Sequence, residues 1–104
     1  MNEKKQKIVN FPFALKRALI AAADAEESNM NDVAVAVLAE KFGSRFTPSG
    51  QRTPGLDPRI ARTGLLMPVV LKRKIRIEAA RRDMFENALI VQVLEEHFGL
   101  RKAA

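Results

Sequence analysis

Cysteine, tryptophan and tyrosine are absent from this 104-residue chain, and His97 is its single histidine. Without cysteine there can be no disulfide, thiolate metal site or cysteine nucleophile. One histidine cannot assemble an imidazole metal cluster by itself. No apolar run approaches the roughly 18 residues of a membrane span, because Lys16 and Arg17 interrupt the most apolar stretch. The opening residues pass from Met1 through Lys7 into Ile8-Val9-Asn10-Phe11-Pro12 without a long apolar core, so they do not read as a secretory leader. Carboxylates are scattered at ordinary salt-pair spacing, with no pair held in an evident cleft. No catalytic constellation emerges, so the chain reads as a non-enzyme with no cofactor and no metal.

What is present is a globular composition, 47% hydrophobic and 29% charged. Eighteen Lys and Arg against twelve Asp and Glu leave a net charge of +6. On so small a body this points to a polyanionic partner, either nucleic acid or an anionic membrane surface. Alanine-rich stripes without Trp or Tyr make poor interfacial anchors, which favours nucleic acid and no membrane partner.

The strongest internal signal is a repeat. A shift of 56 residues places Pro12 over Pro68 and runs without a gap to Gly43 over Gly99. Leu15-Lys16-Arg17 recurs as Leu71-Lys72-Arg73, and Ala23 and Asn31 recur as Ala79 and Asn87. Val35, Val37, Leu38, Glu40 and Phe42 recur as Val91, Val93, Leu94, Glu96 and Phe98. Similarity by chance between two helical stretches rarely keeps Pro, Asn and Phe-Gly in one register. Between the copies, Ser44 to Ala61 carries Pro48, Gly50, Pro54, Gly55 and Pro58, the punctuation of a linker. Residues 1–43 therefore form a first unit with a basic N-terminal arm, 44–61 a linker and 62–104 a second unit, together one compact domain.

Each unit opens on a strand-like segment. Lys7, Val9 and Phe11 alternate with Gln6, Ile8 and Asn10. Thr63, Leu65 and Met67 alternate with Arg62, Gly64 and Leu66. Proline then ends the strand and opens a helix. The first helix is predicted over 14–26, with Leu15, Ala18, Leu19, Ala22 and Ala23 as its stripe; its copy uses Leu71, Ile75 and Ala79. A second helix starts near Met30 and near Glu86, with Ala34, Val37, Leu38 and Phe42, or Ile90, Val93, Leu94 and Phe98, as its apolar face. Gly43 and Gly99 are expected C-terminal caps and Asn29 an N-cap. Phe85 is a poor N-cap, so Asp83 or a shifted start is expected to serve in the second copy. One such unit cannot bury its own stripes, whereas two can if their strands pair and their helices interleave.

Strand, Pro, helix, a four-residue break and a helix with Asn near its start resembles the ribbon–helix–helix DNA-binding family of Arc-, Mnt- and MetJ-like repressors. Asn10-Phe11-Pro12, Asn29-Met30-Asn31 and Phe42, with Met67-Pro68, Asn87 and Phe98, carry the likeness. It implies a mostly α fold with a short two-stranded antiparallel β-ribbon, as two ribbon–helix–helix units intertwined in one chain as a pseudo-dimer. The ribbon would enter the major groove of double-stranded DNA. Base-reading positions would be Gln6, Ile8, Asn10, Arg62, Gly64 and Leu66. Phosphates would meet the backbone N–H groups at Met30-Asn31 and Glu86-Asn87. Lys16, Arg17, Lys72, Arg73, Lys4 and Lys5 would add general phosphate contacts. Gly64 has no side chain to read with, Leu66 offers only a methyl contact and Glu86 is a carboxylate beside a phosphate, so the second copy is expected to read more weakly. The implied function is a sequence-specific transcriptional regulator, a repressor, in a prokaryotic or phage cytoplasm and nucleoid, with pseudo-dimers that associate further on DNA. An accessory protein of conjugation or partition is the alternative, and an antitoxin a weaker one because only Leu100 to Ala104 follow Gly99.

Overall fold

A computed structural model describes residues 4–51, 59 and 62–102. Positions 1–3 of the expected arm, 52–58 and 60–61 of the expected linker, and 103–104 lie outside the described residues. The elements follow one another as β1 (Lys4–Asn10), α1 (Phe13–Ala25), α2 (Met30–Phe42), β2 (Arg62–Pro68), α3 (Val69–Arg81) and α4 (Glu86–His97). Among the described residues the fold is mostly helical with one two-stranded antiparallel sheet. No helix among the described residues is long and apolar enough to cross a membrane.

The sheet joins the two copies. β1 pairs with β2 from Lys4 opposite Pro68 to Asn10 opposite Arg62, and Ile8 lies opposite Gly64, its own repeat counterpart. A two-stranded ribbon is marginal alone and needs a packed face. Here Val9, Leu65 and Met67 on the inner face are fully buried. Pro12, two residues past β1, and Pro68, the last residue of β2, have φ −56° and −58°, values that suit a helix start, and their missing N–H lets the ladder run no further. One turn apart on each following helix, Leu15, Leu19 and Ala23, and Leu71, Ile75 and Ala79, are buried.

α2 sits at the centre, packed against α1, α3, α4 and β2. Its burial therefore spreads beyond one face: Met30, Val33, Ala34, Val35, Leu38 and Ala39 are buried, whereas Val37 and Phe42 of the predicted stripe are only half-buried. α4 keeps a narrower face of Leu89, Ile90, Val93 and Leu94.

The four helices of the described residues all end on the same left-handed turn. Glu27 and Asp83 (both φ 52°) close α1 and α3, and Gly43 (φ 65°) and Gly99 (φ 72°) close α2 and α4. The next residue then donates its N–H back across the turn: Ser28 to the Ala23 carbonyl at 2.8 Å, Met84 to Ala79 at 3.0 Å, Ser44 to Ala39 and Leu100 to Glu95 at 2.8 Å. Asp83 thus terminates α3 and does not cap α4, contrary to the sequence expectation. The start of α4 is not shifted either: Phe85 is its N-cap, and no side chain caps it.

Residues 44–51 form neither helix nor strand and fold back over the start of α2. Asn29 Nδ2 donates to Ser49 Oγ at 3.2 Å and to the Gln51 carbonyl, while Asn29 Oδ1 accepts the Asp32 N–H at 2.8 Å. The buried Asp32 carboxylate accepts from Ser49 Oγ and Asn29 Nδ2 at 3.0 Å and from the Gly50 N–H at 3.1 Å. Burial pushes its pKa up, but the hydrogen bonds from Ser49, Gly50 and Asn29 together outweigh this and hold it below the usual carboxylate range.

Two expectations follow. Gly43→Ala should cost about 1 kcal/mol in urea unfolding from backbone conformation, because an added Cβ meets nothing within 4 Å. Asp32→Ala should cost about 1–3 kcal/mol at neutral pH by stranding the donors that grip it. A carboxylate held low in the fold adds stability above its unfolded pKa of about 3.9 and loses it as pH falls through the folded value, so the gap between the two proteins should close in acid.

Candidate nucleic-acid interface

Side chains alternate along a strand, so every second residue of β1 and β2 shares a face. The inner residues are the buried Val9, Leu65 and Met67 and the half-buried Lys7 and Thr63. The outer residues are Gln6, Ile8 and Asn10 opposite Leu66, Gly64 and Arg62, and all six are exposed. These are the six positions singled out in the sequence. Ile8 and Leu66 are 39% and 47% exposed, aliphatic groups left in solvent on a face whose other side chains are polar. Gly64 has a different part from reading: a Cβ there would stand 3.0 Å from Gln6 Cδ and 3.3 Å from Cγ, so its bareness lets Gln6 lie across the ribbon.

The repeated asparagines fix the helices to this ribbon. Asn31 Oδ1 accepts the Leu66 N–H at 2.7 Å and its Nδ2 donates to the Leu66 carbonyl at 3.2 Å. Asn87 Nδ2 donates to the Ile8 carbonyl at 3.0 Å. Each copy's asparagine therefore grips the other copy's strand, satisfies backbone groups on its outer edge and blocks further strand addition. The starts of α2 and α4 are held beside the two edges as a result. The sequence expectation at these positions concerns the backbone N–H groups, not the asparagine side chains. The available signal was that Asn, a modest helix former, occupies the second helical position in both copies.

The two helix starts are not alike. Asn29 occupies the Asp32 N–H of α2, whereas α4 has no side-chain cap. Met30 is buried at the first position of α2; at the same position of α4, Glu86 Oε1 lies 3.8 Å from Lys7 Nζ.

Among the expected phosphate contacts, Lys5, Arg17 and Arg73 are exposed and Lys72 is half-buried. Lys4 Nζ lies 5.7 Å from the centroid of the Phe46 ring, and the Arg17 guanidinium 5.7 Å from that of Phe13. Lys16 corrects the expectation. It is 4% exposed, and its ammonium donates to Thr63 Oγ1 at 2.5 Å, between α1 and the inner face of β2. Burial lowers its pKa, because a charge is costlier away from water. It is an internal tether that cannot reach a phosphate.

Lys16→Met should raise the unfolding free energy by about 1 kcal/mol at pH 7, since an apolar side chain avoids the desolvation of the charge. A lysine pKa lowered by folding makes stability rise with pH up to the unfolded value near 10.4, so the advantage of Met should shrink in alkali. The chain matches no protein-family model, no curated protein and no solved structure.

Proposed function

We propose that the chain is a ribbon–helix–helix pseudo-dimer that binds double-stranded DNA in a sequence-specific way and regulates transcription as a repressor. The observation that carries the reading is the outer face of the ribbon. Six alternate residues from both copies are exposed together, and each edge is flanked by a helix start pinned by Asn31 or Asn87. A two-stranded ribbon fits a major groove about 12 Å wide. Asn10 and Gln6 carry the donor and acceptor pair that matches adenine N6 and N7, and Arg62 the fork that matches guanine O6 and N7. Ile8 and Leu66 supply apolar contact for thymine methyl groups. The net charge of +6 draws the protein to DNA, and the ribbon supplies selectivity.

The crossed pairing explains why the unit is duplicated. Each strand finds its partner, and each asparagine its strand, in the other copy. Because the copies differ at Ile8 and Gly64 and at Asn10 and Leu66, the preferred DNA site is an imperfect palindrome at most.

Selection from a random duplex library, followed by affinity measurements across a salt series, tests the reading. The selected duplex should be preferred over a scrambled one by at least about 4 kcal/mol at physiological salt. Asn10→Ala and Arg62→Ala should each cost about 1–3 kcal/mol on the selected duplex. Leu66→Ala should cost less than Asn10→Ala. Equal binding to both duplexes, falling steeply with salt, would reduce the protein to a DNA coat and overturn the proposal.

A further inference from the structure

The two flanks of the ribbon are built from repeat-equivalent positions, yet their chemistry is opposite. On the flank formed by β1, α3 and the start of α4, Lys5, Lys7, Lys72, Arg73, Arg76 and Glu86 line an open cavity of about 290 Å³. Five cations face one carboxylate there. In the other copy, Lys7, Arg76 and Glu86 are replaced by Thr63, Ile20 and Met30, while Lys72 is matched by Lys16. Lys16 and Met30 are buried and Ile20 is half-buried against the core. Arg17, the counterpart of Arg73, remains outside but leans over Phe13. One flank is thus closed by Ile20, Met30 and the Lys16–Thr63 hydrogen bond, and the other is hollow and basic.

A second difference falls on the same side. Glu86, which lines the cavity, is the first residue of α4, which has no side-chain cap where its counterpart α2 has Asn29. The positive end of that helix therefore opens at the cavity, whereas Asn29 closes the start of α2. Glu86 stands 3.8 Å from Lys7 and holds the place an anion would take.

We propose that this cavity is a one-sided phosphate site, and that it grips the phosphodiester backbone at one end of the bound duplex while the opposite flank makes few charged contacts. The duplex as source of the phosphate rests on the DNA-binding reading above; the anion site does not. Arg73 and Arg76 bind as mobile guanidinium forks, Lys5, Lys7 and Lys72 supply point charge, and Glu86 swings away as phosphate enters. The protein is therefore electrostatically polar along the DNA. Its footprint extends further on the α3–α4 side.

Two arms test this on the full chain. In the first, inorganic phosphate is titrated into isotope-labelled protein while backbone amide shifts are followed. Saturable shifts at Glu86, Asn87 and Ala88, absent at Met30 and Asn31 and abolished in Arg73→Ala/Arg76→Ala, are expected. Glu86→Gln should tighten phosphate binding several-fold, a gain that misfolding cannot produce. Absence of saturation, or equal shifts at both helix starts, would overturn the site.

In the second arm, a 20-base-pair duplex is bound across a salt series. Each phosphate contact contributes about 0.9 to the slope of log affinity against log salt, so Arg73→Ala/Arg76→Ala should lower it by about 1–2. Arg17→Ala should lower it by less than half as much. Equal losses on the two flanks would overturn the polarity. If no duplex binds but phosphate still saturates at Glu86 to Ala88, the DNA reading fails and the anion site stands.

Discussion

The antiparallel pairing of β1 with β2 is the interaction on which the rest of this structure depends. Among the described residues it is the one place where the two copies share a hydrogen-bonded ladder, and its register places Ile8 opposite its own counterpart Gly64. That register buries Val9, Leu65 and Met67 and turns the six alternate residues outward. A slip by one residue would exchange the faces, bringing Gln6, Asn10 and Arg62 against the core. The core therefore enforces the outer face. Asn31 and Asn87 add a second lock, since each bonds the strand of the other copy.

The two repeat units differ in how their helices are sealed. The first copy is the better sealed. Its central helix α2 is buried on most sides, its N-cap is tied to residues 49–51, and Asp32 anchors that return. At the position of Asn29 the second copy carries Phe85, which is 86% exposed. Its helix α3 has Lys72, Lys74, Arg76 and Glu78 where α1 has Lys16, Ala18, Ile20 and Ala22. Lys74 Nζ donates at 2.8 Å to the Gly43 carbonyl at the end of α2, so part of this polarity closes the first copy. A homodimer would have to give both flanks the same surface; a fused chain can give one flank to packing and the other to charge.

Much of this was legible in the residues because it depends on short-range rules. Proline marks where each strand becomes a helix, alternation along seven residues separates the faces of the ribbon, and glycine after Phe42 and Phe98 marks the turn out of the helix. The 56-residue shift carries the boundaries of α1 onto α3 and those of α2 onto α4, save that α4 ends one residue earlier, at His97. What could not be read depends on partners far along the chain. Lys16 looks like Lys72 in sequence, but Thr63, 47 residues away, draws it inside. Asn29 and Asp32 gain their linker partners only when residues 49–51 fold back. The left-handed Glu27 and Asp83 occupy turns where glycine is usual, because the packing of the following helix sets the turn and the side chains remain in solvent.

The central claim is that the outer face of the ribbon reads base edges in the major groove, and methylation of guanine N7, an atom on the groove floor, tests it most directly. On a selected duplex, the account predicts that methylation at guanines within one short segment blocks binding, and that Arg62→Ala removes the block at one or two of them. Binding indifferent to N7 methylation throughout the site, yet blocked by a minor-groove ligand, would contradict it.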